Sequence, residues 1–468
     1  MSSFIETYNC RLGSVNPNKY LISSREDLSR CLVSAELAHH NEALLDIATR
    51  VEFLSEIHAQ IIYHKEALFE VYSTESSLGR LRFNAEFDRT LKQLNAYRDA
   101  AIALSIQKNK SILPDRTISK KPMPLGPIAV FGASNFPLAY ATLGGDVMGA
   151  FAAGCPVIVK GHPLHAGTSL LSAKLIYNAR EKLNLHPGVF GHVLDDGFDI
   201  GQTLVQDPRI KGCGFTGSFS GGMALYRLTQ NRKDPIPCFA EMGSINPVII
   251  LPNEQGLSIH LNSLVQSITT DAGQFCTKPG VLFCPNSMLP EALKILDYAF
   301  KKAAPHPMLH PSVQERYHCK LEEITRNFDG KSYLSTEKEF GITRGFFQVS
   351  IEQFLKNPSL QQELFGPTAV IVAYDTSDEL LRGLAPLKGQ LTITLIGENP
   401  ETSVFFKWAC THAGRVILNG VPTGVSVVAN MHHGGPFPAS TDDRFSAVGE
   451  ASIQRFIRYV SVQNSVST

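Results

Sequence analysis

The stretch that decides the fold is IAVFGASNFPLAYATLGGDVMGAFAAGCPVIVK, residues 128 to 160. It begins with an apolar run, Ile128 to Gly132, which is typical of a buried strand. The small-residue segment from Leu138 to Ala153 predicts a helix, and Pro156 to Lys160 predicts a second strand. A strand, a helix and a strand in this order indicate two parallel strands joined by a crossover helix.

The alternation of strands and helices continues beyond residue 160. Strands are predicted at residues 188–194, 211–215, 238–242 and 247–251, and helices at residues 165–182, 200–206 and 218–228. Such alternation predicts a parallel sheet with helices on both faces. Ligands bind beyond the carboxyl ends of the strands in these sheets, so polar residues at strand ends are the first candidates for a site.

Two other regions flank this section. Residues 24–108 carry apolar residues mostly three and four apart, which predicts helices, and the polar stretch from Ser111 to Pro122 is interpreted as a connector. A second alternating section has helices predicted at residues 259–270 and 289–302 and strands at residues 280–284, 369–374, 391–396 and 415–418. The tail contains a strand-like stretch from Tyr459 to Gln463. We therefore expect an α/β protein of two or three domains.

The composition is that of a globular protein. Of 468 residues 43% are hydrophobic, and 43 basic residues balance 43 acidic ones, so nothing indicates binding to nucleic acid or to a membrane. Nine scattered cysteines favour a reducing compartment, and with no visible signal peptide the expected location is the cytoplasm. His432-His433 and the region of Cys319 lack zinc-ligand spacing, so no metal site is expected.

Four polar residues fall at predicted strand ends or in tight turns: Asn135, Lys160, Glu241 and Cys276. Each alone has a structural explanation, as a turn amide, a solvated strand end, an ion-pair partner and a small buried apolar residue respectively. Together, a thiol, a carboxylate and an amide are the parts of covalent acyl chemistry. The thiolate attacks a carbonyl, the amide donates to the oxyanion, and the carboxylate takes a proton from water.

The stretch Phe215-Thr-Gly-Ser-Phe-Ser-Gly-Gly222 gives a second, weaker signal. A strand, a glycine turn and a helix start follow one another there, and such a turn presents backbone N–H groups to phosphate. The stretch lacks GxGxxG spacing, and Ser218 is equally explained as a helix N-cap. Both interpretations stay open.

Six segments together resemble the NAD(P)-dependent aldehyde dehydrogenase superfamily, in the order that the family has them. They are GASNFP at residues 132–137, Pro156-Val-Ile-Val-Lys160, Phe215-Thr-Gly-Ser218, Glu241-Met-Gly-Ser-Ile-Asn-Pro247, Gly273-Gln-Phe-Cys276 and Glu363-Leu-Phe-Gly-Pro367. The resemblance implies an aldehyde dehydrogenase-like α/β fold. It comprises a Rossmann-like cofactor domain at residues 1–242 with a helical N-terminal part, a catalytic α/β domain at residues 243–447 and an oligomerisation segment at residues 448–468.

The resemblance also implies the chemistry of the site. Cys276 attacks the aldehyde to give a thiohemiacetal, and Asn135 and the Cys276 backbone N–H hold its oxyanion. A hydride then passes to the nicotinamide, and Glu241 activates the water that hydrolyses the remaining thioester. The implied cofactor-binding residues are Lys160, His162, Pro163, Thr216, Gly217, Ser218, Glu363 and Phe365.

Four of these cofactor residues have distinct roles in the family. Lys160 is implied to contact the adenosine ribose and Ser218 the pyrophosphate. Glu363 is implied to bind the nicotinamide ribose, and Phe365 to pack against the nicotinamide ring.

The chain departs from the family pattern in ways that bear on the cofactor and the thiol. NAD-specific members commonly carry a glutamate three residues after the strand lysine, and here that position is Pro163. Since no carboxylate there repels a 2′-phosphate, we expect NADP to be accepted as well as NAD, with His162 favouring it. Ser244-Ile245 replaces a Gly-Lys pair. Lys278 replaces a small residue and either lowers the pKa of the thiol or faces solvent, the interpretation we favour.

The motifs resemble one branch in particular, which contains 2-oxoglutarate semialdehyde (2,5-dioxopentanoate) dehydrogenases and NADP-dependent long-chain aldehyde dehydrogenases. One of the motifs that carry this likeness is His432-His-Gly-Gly-Pro-Phe-Pro-Ala439. The semialdehyde is the favoured substrate and a fatty aldehyde the alternative. The short connector before Gly126 favours a homodimer over a tetramer.

Three other functions remain as alternatives. A cofactor-independent thiol hydrolase needs a histidine paired with Cys276, and none lies near it in the sequence. A non-catalytic nucleotide-binding protein is the second. An acylating enzyme that releases the thioester to coenzyme A is the third, and Glu241 favours hydrolysis over it.

Overall fold

The computed structural model describes residues 4–106, 110–252, 256–326 and 328–464 of the chain. The N-terminal part forms an antiparallel hairpin and four helices: β1 (Phe4–Asn9), β2 (Ser14–Leu21), α1 (Arg25–His40), α2 (Ile47–Tyr63), α3 (Lys65–Ser76) and α4 (Arg80–Ile106). The helices confirm the helical prediction as far as residue 106, and residues 107 and 108 of that prediction lie outside the described residues. The hairpin was not foreseen, because β2 contains Pro17 between two asparagines, residues that strands usually avoid.

Two short strands, β3 (Lys110–Ile112) and β4 (Thr117–Pro124), precede a five-stranded parallel sheet. The elements of that sheet are β5 (Ile128–Phe131), α5 (Gly145–Ala153), β6 (Val157–Gly161), α6 (Ala166–Lys182), β7 (Phe190–Leu194), α7 (Asp199–Gln206), β8 (Gly212–Thr216), α8 (Phe219–Gln230) and β9 (Cys238–Glu241). The strands lie in the order β7-β6-β5-β8-β9, and each pair is parallel. The predicted alternation is therefore confirmed here.

The strand order of this sheet reverses at β5. The chain runs outward through β6 and β7 and then returns to the other side of β5 as β8. Such a reversal opens a crevice at the carboxyl ends of the central strands, where α/β sheets bind ligands. The turn at residues 132–137 follows β5 and the turn at residues 216–218 follows β8, so both motifs lie at this edge.

The helix predicted from Leu138 is wrong over its first seven residues, because α5 begins only at Gly145. The backbone N–H groups of Leu138 and Ala139 donate to the Glu86 carboxylate, at 2.8 and 2.9 Å. Glu86 belongs to α4, and its buried carboxylate holds residues 138 and 139 in a turn. A contact across 52 residues of sequence thus overrides the local helical pattern.

The second alternating section forms a seven-stranded sheet. Its strands are β10 (Val248–Ile250), β11 (Val281–Pro285), β12 (Lys331–Thr336), β13 (Thr343–Ser350), β14 (Thr368–Tyr374), β15 (Gln390–Ile396) and β16 (Ala413–Leu418). They lie in the order β12-β13-β14-β11-β10-β15-β16, and only β12 is antiparallel to its neighbour. The helices are α9 (Leu257–Thr269), α10 (Leu289–Lys302), α11 (Pro311–Arg326), α12 (Ile351–Lys356), α13 (Ser377–Leu384) and α14 (Val404–His412). This section is α/β as predicted, although β12 and β13 were not foreseen.

A third, antiparallel sheet joins the tail to the stretch interpreted as a connector. The tail strand β17 (Ile457–Gln463) pairs with β4, and β4 pairs with β3. The interpretation of Ser111 to Pro122 as a plain connector is therefore wrong. Polar edge strands have no periodic apolar face, so only the distant partner reveals them.

The helix α4 brings charged residues to the ligand edge of the five-stranded sheet. Its apolar residues Phe83 and Tyr97 are fully buried in a core that also contains Phe53 and Phe151, whose rings lie 5.0 Å apart. Burial of each such ring stabilises the fold by about 2 kcal/mol.

In the described ranges, no helix has the length and apolar character that crossing a membrane requires.

Candidate active site

Cys276 lies in the loop between α9 and β11, and a buried amide fixes that loop. Asn246 Nδ2 donates to the carbonyl oxygens of Cys276 and Lys278, at 2.8 and 3.0 Å. Asn246 is fully buried, and its Oδ1 accepts from Thr392 at 2.9 Å. Because both ends of the amide are bonded, the position of the thiol is defined by the sheet beneath it.

Asn135 lies beside the same loop. Its Nδ2 donates to Gln274 O at 2.9 Å, two residues before the thiol. A side-chain amide has two N–H groups, so one remains for an oxyanion. The backbone N–H of Cys276 has no acceptor among the described residues. The structure therefore brings the predicted amide and the predicted nucleophile together.

Arg82, a residue that the motifs do not include, ties these two segments to α4. Its Nε donates to Asp271 of the Cys276 loop at 2.7 Å, and its Nη2 donates to the backbone oxygen of Asn135 at 3.2 Å. Its Nη1 pairs with Glu86 at 2.9 Å. The guanidinium also lies over the ring of Phe136, 4.3 Å from its centre. No local sequence signal indicates this role, because every partner except Glu86 is distant in the chain.

Glu241 ends β9, and a buried histidine lies between it and the thiol. His433 Nε2 lies 3.9 Å from Cys276 Sγ and 2.8 Å from Glu241 Oε1. The contact with Glu241 is close but lacks hydrogen-bond geometry, so neither carboxylate oxygen has a partner in the described part of the chain. The sequence places no histidine near Cys276, but the structure brings one from 157 residues away.

The surroundings of Cys276 keep its thiol protonated at rest. Burial raises its pKa well above the ordinary range, and the carboxylates of Glu241 and Glu363 raise it further. The guanidinium groups of Arg89 and Arg415 act in the opposite direction. Because a thiolate and not a thiol attacks a carbonyl, a nucleophilic role for Cys276 requires a base that takes its proton.

Lys278 does not face solvent, so the interpretation favoured from the sequence is wrong. Only 2% of its surface is exposed, and its Nζ donates to Thr368 O at 2.8 Å. Burial lowers its pKa to about 8, against the attraction of Glu363. The loop turns the residues after Cys276 into the second sheet, so the charge of Lys278 acts on Glu363 and not on the thiol.

The turn Thr216-Gly217-Ser218 lies at the end of β8, next to Glu241. Thr216 is opposite Glu241 in the sheet register, and Gly217 N–H donates to Glu241 O at 3.1 Å. Ser218 is the N-cap of α8, and its Oγ accepts from Gly221 N–H at 3.2 Å. The cap role is thus present, and the exposed helix start beside it can still receive a phosphate.

Lys160, His162 and Pro163 lie at the end of β6, two strands from that turn. Lys160 has no ion-pair partner in the described ranges, although Asp195 and Asp196 lie close enough to attract it. Burial and the neighbouring His165 hold the pKa of His162 well below its usual value, so the ring is neutral near pH 7. The expectation that His162 attracts a 2′-phosphate is therefore not supported by its charge.

Glu363 and Phe365 lie on the side of the second sheet. Burial raises the pKa of Glu363 to about 7, even though the charges of Lys278 and Lys320 act in the opposite direction. A Cβ at Gly243 would collide with this carboxylate, so a larger residue there would displace the Glu363 side chain. Phe365 is half-buried and packs against the core of the second sheet.

These cofactor candidates fit a nicotinamide dinucleotide. An unpaired lysine, a glycine-serine turn at a helix start and a carboxylate near the thiol match a ribose, a pyrophosphate and a second ribose. Among the described residues, Glu241, Cys276 and His433 also form a group whose ligand atoms lie within 4.8 Å of one another. The expectation of no metal site stays a prediction.

A thiol beside a carboxylate, at the ligand edge of a dinucleotide-type sheet, is the arrangement expected of a cysteine-dependent oxidoreductase. The model of the aldehyde dehydrogenase family matches residues 18–462. The chain is 38% identical to the alpha-ketoglutaric semialdehyde dehydrogenase of Acinetobacter baylyi over 436 residues, which are 89% of this chain and 82% of the relative. It is 37% identical to alpha-ketoglutaric semialdehyde dehydrogenase 2 of Azospirillum brasilense over 463 residues, which are 95% of this chain and 88% of the relative. The chain belongs to the aldehyde dehydrogenase family and is an NAD(P)-dependent aldehyde dehydrogenase.

Solved structures share the fold at low sequence identity. Glyceraldehyde-3-phosphate dehydrogenase GapN from Methanocaldococcus jannaschii, complexed with NADP, aligns with a TM-score of 0.84 and 19% identity over 99% of each chain. A 1-pyrroline-5-carboxylate dehydrogenase from Thermus with bound NAD aligns with a TM-score of 0.84 and 20% identity over 99% of this chain and 90% of that one. The aldehyde dehydrogenase-like α/β fold expected from the sequence is thereby confirmed.

Proposed function

We propose that the reacting groups of this enzyme are Cys276, Glu241 and Asn135, and that its aldehyde is 2-oxoglutarate semialdehyde. The observation that carries the assignment of residues is the convergence of a thiol, an unbonded buried carboxylate and an anchored amide at one edge of the five-stranded sheet. The relatives at 37–38% identity support the substrate.

The first step forms a bond between Cys276 Sγ and the carbonyl carbon of the aldehyde. The thiol proton passes to Nε2 of His433, 3.9 Å away, and the resulting imidazolium is stabilised by the Glu241 carboxylate. The oxyanion receives hydrogen bonds from the Asn135 side chain and the Cys276 backbone N–H. The rigid Asn246 anchor keeps these donors in place during the change.

The nicotinamide supplies, when bound, the hydride acceptor that converts the Cys276 adduct into a thioester. The residues that hold the cofactor are Lys160, Thr216, Gly217, Ser218 and Glu363, with Pro163 and Phe365 beside them. Glu363 accepts hydrogen bonds from ribose hydroxyls best as a carboxylate, the form favoured above pH about 7.

Glu241 completes the reaction. Its carboxylate oxygens are buried and accept no hydrogen bond in the described part of the chain, so they are available to a water molecule. The water loses a proton to Glu241 and attacks the thioester carbon, and the carboxylate product leaves as the Cys276 sulfur is released. This role favours hydrolysis over transfer to coenzyme A.

An aldehyde panel with both cofactors tests the substrate. We expect the highest kcat/KM with 2-oxoglutarate semialdehyde, about a hundredfold or more above pentanal, which lacks its polar groups. NAD(P)H formation is followed by absorbance. A best substrate of decanal type would instead support the long-chain alternative.

We also propose that NADP is accepted, because Pro163 replaces the carboxylate that would repel a 2′-phosphate. Asp195, a buried carboxylate close enough to attract Lys160, already accepts from the backbone N–H groups of Gly197 and Ile200. Pro163→Glu should raise KM for NADP by about tenfold, the effect of one like charge at short range, and leave KM for NAD nearly unchanged. Pro163→Gln is the matched uncharged control. The proposal would be contradicted if the parent enzyme turned over with NAD but not with NADP.

We propose a cytoplasmic homodimer as the working form. The outer edge of β17 has no partner strand in the described sheet, and an open edge invites pairing with a second copy. All nine cysteines are free thiols, which fits a reducing compartment. Light scattering should give about twice the subunit mass of 51.3 kDa, and a tetramer mass would contradict the dimer.

A further inference from the structure

Two arginines lie close to Cys276 without belonging to any motif. Arg89 comes from α4 and Arg415 from β16, and both donate to backbone oxygens of the loop at residues 422–425. Arg89 lies over the ring of Tyr140 at 4.5 Å, and Tyr140 in turn lies 6.0 Å from His433. Both arginines are half-buried, so each keeps a path to solvent beside the thiol.

The hydrogen bonds of these two arginines go only to neutral acceptors in the described part of the chain. Arg89 donates to Val425 O at 3.2 Å and to the Tyr140 hydroxyl at 2.5 Å. Arg415 donates to Gly424 O at 2.8 Å and to Pro422 O. The Arg415 Nε is buried and has no partner at all among the described residues.

Other buried arginines in this region are paired with carboxylates. Arg82 contacts Glu86 and Asp271, and Arg455 contacts Asp146 at 2.7 Å. A guanidinium removed from water without a counter-charge is unfavourable, so buried arginines usually have one. Arg89 and Arg415 therefore carry two positive charges near the thiol that no carboxylate of the described residues compensates by an ion pair.

The loop between the arginines is apolar and contributes to one wall of the site. Val425, Val427 and Met431 pack against the buried cluster that contains Phe136 and Tyr140. A short aliphatic chain fits such a wall, and an anionic group at its end would meet the two guanidinium groups. An arginine fork binds a carboxylate more strongly than a point charge does.

We propose that Arg89 and Arg415 bind the carboxylate end of the substrate, so that the site selects short aldehydes with an anionic group at the far end. This inference rests on the proposed function, which it deepens by naming the residues that recognise the substrate. The thiol attacks the aldehyde end while the arginines hold the other, and the distance between them sets the length of the chain.

Alkylation of Cys276 tests the proposal without any aldehyde. Iodoacetate and iodoacetamide both lose iodide as the thiolate sulfur bonds to carbon, but only iodoacetate carries a negative charge. Arg415→Gln and Arg89→Gln should each lower the rate ratio of iodoacetate to iodoacetamide by about tenfold, the effect of one charge within several ångströms at an intermediate dielectric. Arg415→Lys should keep most of the ratio, and Arg382→Gln, an exposed arginine on α13, should not change it.

A purely structural role gives a different result. If the arginines only hold the loop at residues 422–425, both reagents slow or accelerate together and the ratio stays constant, which overturns the proposal. Because each rate is divided by the other on the same protein, partial unfolding of a variant does not mimic the expected change.

Turnover of the same variants separates this inference from the proposed substrate. We expect the ratio of kcat/KM for succinate semialdehyde to that for butanal to fall at least tenfold in Arg415→Gln. If the parent enzyme prefers another carboxylated aldehyde to 2-oxoglutarate semialdehyde, the proposed substrate is wrong while the arginine pair stands. If it prefers the semialdehyde but the variants keep both ratios, the arginine pair is wrong.

Discussion

Replacing Cys276 with serine should abolish NAD(P)H formation from every aldehyde, with kcat reduced by about ten-thousandfold or more. The hydroxyl of serine is far less acidic than a thiol, and the neighbouring Glu241 and Glu363 carboxylates oppose any anion at this position. His433 at 3.9 Å assists removal of a thiol proton, but it cannot compensate for the much higher pKa of a hydroxyl. Stopped-flow absorbance at the NAD(P)H band measures the loss.

The matched control for this variant is Cys319→Ser, which changes an exposed cysteine on α11. It should keep the activity of the parent enzyme. Cofactor binding, followed by quenching of protein fluorescence, should be the same for both variants because neither sulfur holds the dinucleotide. If Cys276→Ser retained more than a tenth of the parent activity, Cys276 would not be the nucleophile.

Glu241→Gln should stop the reaction after one turnover. Without a carboxylate to take a proton from water, the thioester on Cys276 persists, and steady-state turnover falls by about a hundredfold to ten-thousandfold. Rapid mixing should therefore show a burst of about one NAD(P)H per subunit, followed by a slow phase. Denaturing mass spectrometry should detect the acyl group on Cys276.

Glu241→Gln should also change the reactivity of the Cys276 thiol, and this reactivity should increase although turnover falls. The Glu241 carboxylate raises the pKa of the Cys276 thiol, so its removal lowers that pKa and increases the thiolate fraction near neutral pH. Alkylation by iodoacetamide at pH 7 should be faster in Glu241→Gln than in the parent enzyme. Glu322→Gln, an exposed residue on α11, is the control and should change neither the burst nor the alkylation.

Coenzyme A distinguishes hydrolysis from acyl transfer in these experiments. We expect no increase in the turnover of the parent enzyme when coenzyme A is added, because Glu241 already supplies the base for water. A burst that is absent in Glu241→Gln, together with acceleration of the parent enzyme by coenzyme A, would refute the assigned role of Glu241.

The parallel strands of both large sheets, except β13, were predictable because their residues are apolar on both faces and separated by clear turn signals. Three motif residues could be selected as site candidates from this pattern, since Asn135, Lys160 and Glu241 stand at the ends of predicted strands. The meeting of Asn135 and Glu241 with Cys276 was expected from the resemblance to a family and not from the strand pattern. Composition and spacing alone left each of these residues with a simpler structural explanation.

The parts that could not be predicted depend on contacts between distant residues. The backbone N–H groups of Leu138 and Ala139 donate to Glu86, and these hydrogen bonds hold a turn where the sequence predicts the start of a helix. The strand β4 exists because the tail pairs with it across more than three hundred residues. His433 has no local signal beyond a pair of histidines, and Lys278 looks like any exposed lysine until the loop is folded.

The contacts of Arg82 constrain how this enzyme could be recombined with its relatives. Arg82 belongs to α4, and it contacts both the turn that contains Asn135 and the loop that contains Cys276. It forms ion pairs with Glu86 and Asp271. A hybrid that takes its first hundred residues from another parent, without a basic side chain at position 82, would leave the partly buried Asp271 carboxylate without its guanidinium partner and would be destabilised by about 3–5 kcal/mol. In a library of hybrid enzymes, Arg82 and Asp271 should therefore come from the same parent sequence.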